Sequence, residues 1–463
     1  MGKREKWGSK IGFIFAASGS AVGIGNIWKY PHMAGQNGGA AFTVVYLLCI
    51  LVIGLTIVVA EFAVGRNTQL SPVGAFKTLS PNTSWKWVGF LGVASAFVIL
   101  SFYGVVGGWI LKYITVAISG GFESLNSSPE KAKSLFNDFI SDTWSPVLFQ
   151  VIFMALSVFV IIRGVKDGIE NWSKIMMPII IILLIVLAFR GLTLPSGTEG
   201  LKFLFLPRFE ELTPSSIVLA LGHSFFTLSL GMGTMITYGS YLQRKQNLLH
   251  SALWVIALDT AIAMLAGIAI FTTVFALGAD PAGGAGLIFF ILPSIFPQLA
   301  YGSLWGFLFF LLLFMAALTS AISILEVVTA YFIDQKGWSR QRATVQFGFI
   351  ITIVGIFCSL SLGGGINITG AFGESFFLGS TFFDVMDNLS SKYMLPIGGM
   401  LTAVFVVKKW GVASFLKEIG GITSDTKKDK IITRIFCYTS ATIVGFIILN
   451  EIISKLTGTA LIG

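Results

Sequence analysis

Gly19-Ser20-Ala21-Val22-Gly23-Ile24-Gly25-Asn26 interrupts the first long apolar stretch of the chain, and Ser229-Leu230-Gly231-Met232-Gly233 interrupts another about two hundred residues later. Glycine costs about 1 kcal/mol in a helix interior, and backbone groups freed by a break cannot face lipid. Two broken spans at corresponding positions in two halves of a chain therefore predict a cavity in which unwound backbone meets a solute, the mark of a transporter.

The composition agrees. Of 463 residues 55% are hydrophobic and 11% charged, with a mean hydropathy of +0.84. At roughly 20 residues per span, eleven helices are expected: 11–33, 40–65, 87–117, 145–162, 172–192, 215–242, 248–278, 303–333, 341–361, 377–407 and 431–457. The runs are long and do not alternate with a period of two, which excludes a β-barrel. The fold class is an all-α polytopic membrane protein, a single integral membrane domain over 1–463. Spans one to five (11–192) and six to ten (215–407) match in number and order, each set opening on a broken span. Five is odd, so the second set runs inverted, a 5+5 repeat with broken helices 1 and 6. The span at 431–457 is an addition.

Most of the 31 basic residues fall at one end of this layout, among them Lys3, Arg4, Lys6, Arg66, Arg244, Lys245, Arg340, Lys408 and Lys409. The positive-inside rule then puts the N-terminus in the cytoplasm, and the net charge of +9 follows from topology, with no nucleic-acid partner implied. Lys3, Arg4 and Lys6 before an apolar run, with Ala17-Ser18-Gly19-Ser20-Ala21 behind, also resemble a signal peptide; a polytopic protein needs none. The compact termini point to a bacterial plasma membrane. Cys49, Cys358 and Cys437 lie in apolar spans and read as packing residues. Loops are expected at 118–144 (hydrophilic), 193–214 and 279–302, the last apolar enough to dip back into the protein. A basic segment at 408–430 is expected to form a short surface helix. His32, His223 and His250 are scattered, no metal-ligand cluster exists, and Gly23-Ile24-Gly25 lacks a dinucleotide loop's context, so an enzyme is not expected. A channel, or an amino-acid sensor that binds without transporting, remains the alternative.

In order and spacing, Trp7 with Gly12, Gly19 through Asn26 with Pro31, Asn37-Gly38-Gly39-Ala40-Ala41-Phe42, Glu61 with Gly65-Arg66, Phe225 through Gly231, and Leu318-Thr319-Ser320 resemble the neurotransmitter:sodium symporter family, most closely its bacterial amino-acid transporters. The resemblance covers nearly the whole chain. It implies sodium-coupled symport of an amino acid by alternating access, with two sodium ions and no organic cofactor. One ion site would take the Ala21 carbonyl, Asn26, Thr227 and Asp259, with the substrate carboxylate. The other would take the carbonyls of Gly19, Val22 and Ala316 and the hydroxyls of Thr319 and Ser320. Such an all-oxygen set suits a hard cation. Thr319-Ser320 alone would equally suit a small-residue helix contact.

For the substrate, the resemblance implies that backbone N–H groups around Ile24 and Gly25 and the Tyr103 hydroxyl meet its carboxylate. Ser20, Thr227 and the carbonyls of Phe226 and Ser229 would hold its amino group, and Ile99, Phe226, Met232 and Ile324 its side chain. Ala21 and Ser320 complete the set. Methionine is unbranched and adaptable, where small-pocket relatives carry a bulkier aromatic, so large aliphatic or aromatic amino acids are expected. Asp259 departs from the amide common in the family, many of whose members bind chloride nearby. A fixed carboxylate predicts chloride independence, unless Thr260 or His223 merely satisfies it as a structural group. His223 is either its hydrogen-bond partner, a proton acceptor or a neutral packing residue. Gates are expected at Lys29 with Asp387 and at Arg4 with Asp334. Glu61 would cap N–H groups freed by the breaks. Gly168 and Pro178 resemble an element thought to let span five unwind toward the sodium site. Glu326 has no assigned partner.

Overall fold

The computed structural model describes residues 4–281, 287–362, 381–420 and 427–457; positions 377–380 of the expected tenth span, 282–286 of the 279–302 loop and 421–426 of the basic segment lie outside them. Among the described residues all regular structure is helical. Among the described residues nine helices are long and apolar enough to cross a bilayer, and Lys10–Ala21 with Gly25–Gln36 forms one further span bent by 50°. The sixth span is likewise split, into Pro214–Thr227 and Thr234–Ser240. Length and composition thus mark ten spans among the described residues, and this shorter pair stands where the remaining one of the eleven was expected.

Burial orders the spans from centre to rim. In its most apolar stretch Gly302–Lys336, the eighth span, is 83% buried and Lys86–Ile118, the third, 72%, against 28% for Arg340–Leu362 and 22% for Asp429–Asn450. Spans three and eight lie along each other, and the first half of span one packs on spans five, seven and eight. A helix hydrophobic on all sides belongs inside and one with an apolar outer face belongs against lipid, so the ninth and eleventh spans face outward. Cys49, Cys358 and Cys437 are free thiols.

Each break has its own cause. Span one leaves the helix at Val22, whose backbone is extended. Gly23 is there for close approach, since a Cβ on it would meet the Ser320 hydroxyl and stand 3.0 Å from the Tyr103 oxygen. In span six Ser229, Gly231 and Gly233 take φ of +52°, +78° and +77°, a left-handed sequence that only glycine adopts freely. Ser229 bears the cost of that geometry while its hydroxyl donates to the Ser20 carbonyl at 2.8 Å.

Two of the expected loops contain more structure than their polarity suggested. Within 118–144 the helix Pro129–Ser141 forms because Ser128 caps it, accepting from the Lys131 N–H at 3.2 Å, and because Ala132, Phe136 and Phe139 make a buried stripe on an otherwise polar helix. Within 193–214, Gly197–Phe205 is helical, with Gly197, Gly200 and Leu204 buried. The 279–302 segment dips inward as expected: Phe289 is buried and its ring meets Trp28, Trp109 and Tyr113 at 5.7, 5.7 and 5.3 Å. The fifth span begins earlier than expected, with a wide π-type turn at Val165–Glu170 before Asn171–Leu192. The surface helix of the basic segment spans Val412–Gly420.

Candidate functional site

The two breaks face each other. Ser20, Ala21, Gly23, Gly25, Ile99, Tyr103, Phe226, Thr227, Ser229, Met232, Ser320 and Ile324 line one small cavity. Every side chain expected to hold a substrate is among them. Ile24 takes part through its backbone, its N–H donating to the Tyr103 hydroxyl at 3.4 Å. Gly23 replaces it on the lining, which Gly23's position between two other break residues could have signalled. Ser323 is a second residue that sequence reasoning missed. It lies one turn from Ser320, and its hydroxyl is 2.7 Å from that of Ser20.

On one side of the cavity stands an oxygen cluster around Asp259, which is fully buried. The Asn26 amide donates to one carboxylate oxygen at 2.8 Å and to the Asp259 carbonyl at 3.1 Å. The single Thr227 hydroxyl lies 3.0 Å from the same carboxylate oxygen and 3.1 Å from the Asn26 side-chain oxygen, two acceptors within reach of one proton. The Tyr46 hydroxyl is 3.5 Å from the other. Asp259 forms no ion pair among the described residues, and its partners are neither Thr260 nor His223. His223 packs against the rings of Tyr30 and Tyr46, at 6.4 and 5.1 Å, and among the described residues neither of its nitrogens has a hydrogen-bond partner. Of its three expected roles, the hydrogen bond to Asp259 is not formed.

Opposite, span eight presents a second cluster. The Thr319 hydroxyl is 2.9 Å from the Ala316 carbonyl and 3.5 Å from that of Val22. That of Ser320 is 3.5 Å from the Gly19 carbonyl and 3.2 Å from that of Ser20. Carbonyls of Gly19, Ser20 and Val22 thus meet two hydroxyls where the helix of span one ends, because carbonyls of its last turn have no intrahelical donor. Met177, next to Pro178, approaches Gly19, so the proline of span five sits beside this cluster. Glu61 is buried in span two and accepts the Gly231 N–H at 2.8 Å.

Both expected charge pairs are formed. Lys29 reaches Asp387 at 3.2 Å through one oxygen and lies 4.0 Å over the Phe226 ring, a single contact where a guanidinium would offer two. At the other end Arg4 pairs with Asp334, donates to Ser240 at 2.6 Å and covers the Tyr241 ring at 4.5 Å. The Trp7 indole donates to the Tyr238 carbonyl at 3.0 Å.

Glu326 has partners after all. Arg340 binds it through two nitrogens at 2.6 and 3.0 Å, and the Tyr241 hydroxyl donates to it at 2.5 Å. Arg340 also meets Glu5 at 2.8 Å, whose other oxygen accepts the Val165 N–H at 2.6 Å. At the far end of the Val165–Glu170 turn, the Glu170 carboxylate accepts from the Gly8 N–H at 2.6 Å, Ser9 at 2.7 Å and Lys174 at 2.6 Å. Breaking a buried pair from one side costs about 3–5 kcal/mol. Arg340→Gln is therefore expected to lower the thermal midpoint in detergent by many degrees, and the neutral double variant with Glu326→Gln to recover part of it. No recovery would mean that the arginine acts through packing alone.

Comparison with known proteins bears on what this site serves. The model of the sodium:neurotransmitter symporter family matches residues 4–126 and 133–460. An uncharacterized sodium-dependent transporter, YhdH of Bacillus subtilis, is 41% identical over 417 residues, 90% of each chain. One of Haemophilus influenzae is 32% identical over 417 residues, 87% of this chain and 89% of its own. The crystal structure of MhsT in complex with L-phenylalanine superposes with a TM-score of 0.85 at 44% identity, covering 98% of this chain and all of that one.

Proposed function

The chain belongs to the sodium:neurotransmitter symporter family, whose members are transporters and not enzymes, and on that premise we propose that it carries large aliphatic or aromatic amino acids into the cell together with sodium. The observation that carries this reading is the lining of the cavity: Ile99, Phe226, Met232 and Ile324 offer apolar contact beside the oxygen clusters at the two breaks. The similarity to a protein solved with L-phenylalanine supports the same substrate class.

In this reading the substrate carboxylate lies against the N–H groups of Ile24 and Gly25 and the Tyr103 hydroxyl, at the positive end of a half-helix. Its amino group meets Ser20, Thr227 and the carbonyls of Phe226 and Ser229, with Ala21 and Ser320 completing the wall. Two sodium ions travel with it. One is held by the Ala21 carbonyl, Asn26, Thr227, Asp259 and the substrate carboxylate, so ion and substrate complete each other's site. The other is held by Gly19, Val22, Ala316, Thr319 and Ser320. The Lys29–Asp387 gate opens outward and the Arg4–Asp334 gate inward, with the N-terminus in the cytoplasm of a bacterium and residues 11–192 and 215–407 as inverted halves. Asp259 supplies a permanent negative charge, so chloride is not required.

Purified protein in proteoliposomes should accumulate labelled leucine, phenylalanine or tryptophan only when sodium is high outside. Replacing sodium by potassium or choline should abolish saturable uptake. Sodium-dependent binding without flux would instead make the protein a sensor, and equal uptake in all three salts would end the coupling claim.

A further inference from the structure

Away from the transport cavity, the Arg4 end of the molecule carries a second and larger concavity of about 700 Å³. Its walls come from the end of span two (Arg66, Asn67), the turn after span six (Arg244, Lys245) and the surface helix Val412–Gly420 with Trp410 before it. Among its charged residues four are basic and one, Glu418, is acidic. That carboxylate is already used: one oxygen takes the Arg66 guanidinium at 2.6 Å and the other the Asn67 amide at 2.8 Å. Arg66 also binds the backbone carbonyls of Gln246 and Glu418, so it holds the three walls together. Arg244, Lys245 and Lys417 are exposed and have no ion-pair partner among the described residues. Lys408 and Lys409 stand exposed just before Trp410.

The position narrows what such a cavity can take. Spans two and ten both end beside it, at Thr68 and Trp410, which places it at the level where lipid headgroups begin. The surface helix buries Val412, Phe415 and Leu416 and turns Ser414 and Lys417 the other way. Phe415 is fastened edge-on to Trp410 at 5.9 Å. A tryptophan at a span end and a half-buried helix are features of the membrane interface. Basic groups at this level attract anionic lipid.

We propose that this cavity binds the phosphate headgroup of an anionic phospholipid. Arg244, Lys245 and Lys417 supply the charge, and Ser414 together with the amides of Asn67 and Gln246 supplies hydrogen bonds. Arg66 stays committed to Glu418 and fixes the shape. The binding leaves the transport gates free, since none of Lys29, Asp387, Arg4 and Asp334 lines the cavity.

The test is native mass spectrometry of the full-length protein in detergent, titrated separately with phosphatidylglycerol, phosphatidylcholine and inorganic phosphate. Wild-type protein should bind phosphatidylglycerol at least tenfold more tightly than phosphatidylcholine. The variant Arg244→Gln/Lys245→Gln/Lys417→Gln should lose that preference, while Lys131→Gln/Lys133→Gln/Lys202→Gln, with the same change in charge elsewhere, should keep it. Phosphatidylglycerol binding unchanged in the first variant overturns the proposal, as does equal weakening in both, which would report net charge alone. Tight binding of inorganic phosphate with no lipid preference would also overturn it, by assigning the cavity to a free anion.

Discussion

Asp259→Asn is expected to cut sodium-driven amino-acid uptake from chloride-free medium by roughly a hundredfold. The Asp259 carboxylate is fully buried and among the described residues holds only neutral donors, the Asn26 amide, Thr227 and the more distant Tyr46 hydroxyl. A buried ion with no counter-charge costs several kcal/mol, which the proposed sodium ion would offset. Asparagine keeps the size and one oxygen while removing the charge. Hydrogen bonds to charged groups contribute about 1.5–3 kcal/mol, and each 1.4 kcal/mol is tenfold in affinity, which sets the size of the effect. Chloride should restore part of the uptake, because an anion nearby can replace the missing charge. The measurement is uptake by both proteins in chloride and in gluconate. Wild-type protein that needs chloride, or a variant indifferent to the change, would make Asp259 a structural group.

Thr319→Ala with Ser320→Ala is expected to raise the sodium concentration needed for half-maximal uptake by roughly ten- to hundredfold, since each neutral hydroxyl ligand contributes about 1 kcal/mol. Both hydroxyls face carbonyls of the broken first span, and the substitutions remove no buried charge. The fold should therefore survive, with a thermal midpoint near that of the wild type in sodium-free buffer. The competing account, in which these small residues only let two helices approach, predicts the reverse: lowered stability at unchanged sodium dependence.

What could be read from the sequence divides along a physical line. The breaks were legible because glycine in an apolar run has few explanations, whereas the residues of the cavity, Ser320 and Ile324 among them, were legible only through the resemblance to the family. Interactions between distant segments left no such trace. Glu326 and Arg340 are fourteen residues apart but lie on two successive helices, Gly302–Lys336 and Arg340–Leu362, so the periodicity of a single helix does not pair them. The helix at Pro129–Ser141 was hidden for another reason. Its stripe of three apolar residues is diluted by charges, so polarity outweighed periodicity.

The two carboxylates at the start of span five have a consequence for timing. Glu5 holds the first N–H of the Val165–Glu170 turn, and Glu170 holds Gly8 and Ser9 from its last residue. Residues 5 to 9 are thus buttoned at both ends of the segment that would have to uncoil, and Gly12 packs so closely on Glu170 that a Cβ would collide with it. Were span five to uncoil at Gly168, residues 5 to 9 would have to detach in the same event, so anything that grips those residues, from a binding partner to a fused tag, is expected to slow that step without touching the cargo.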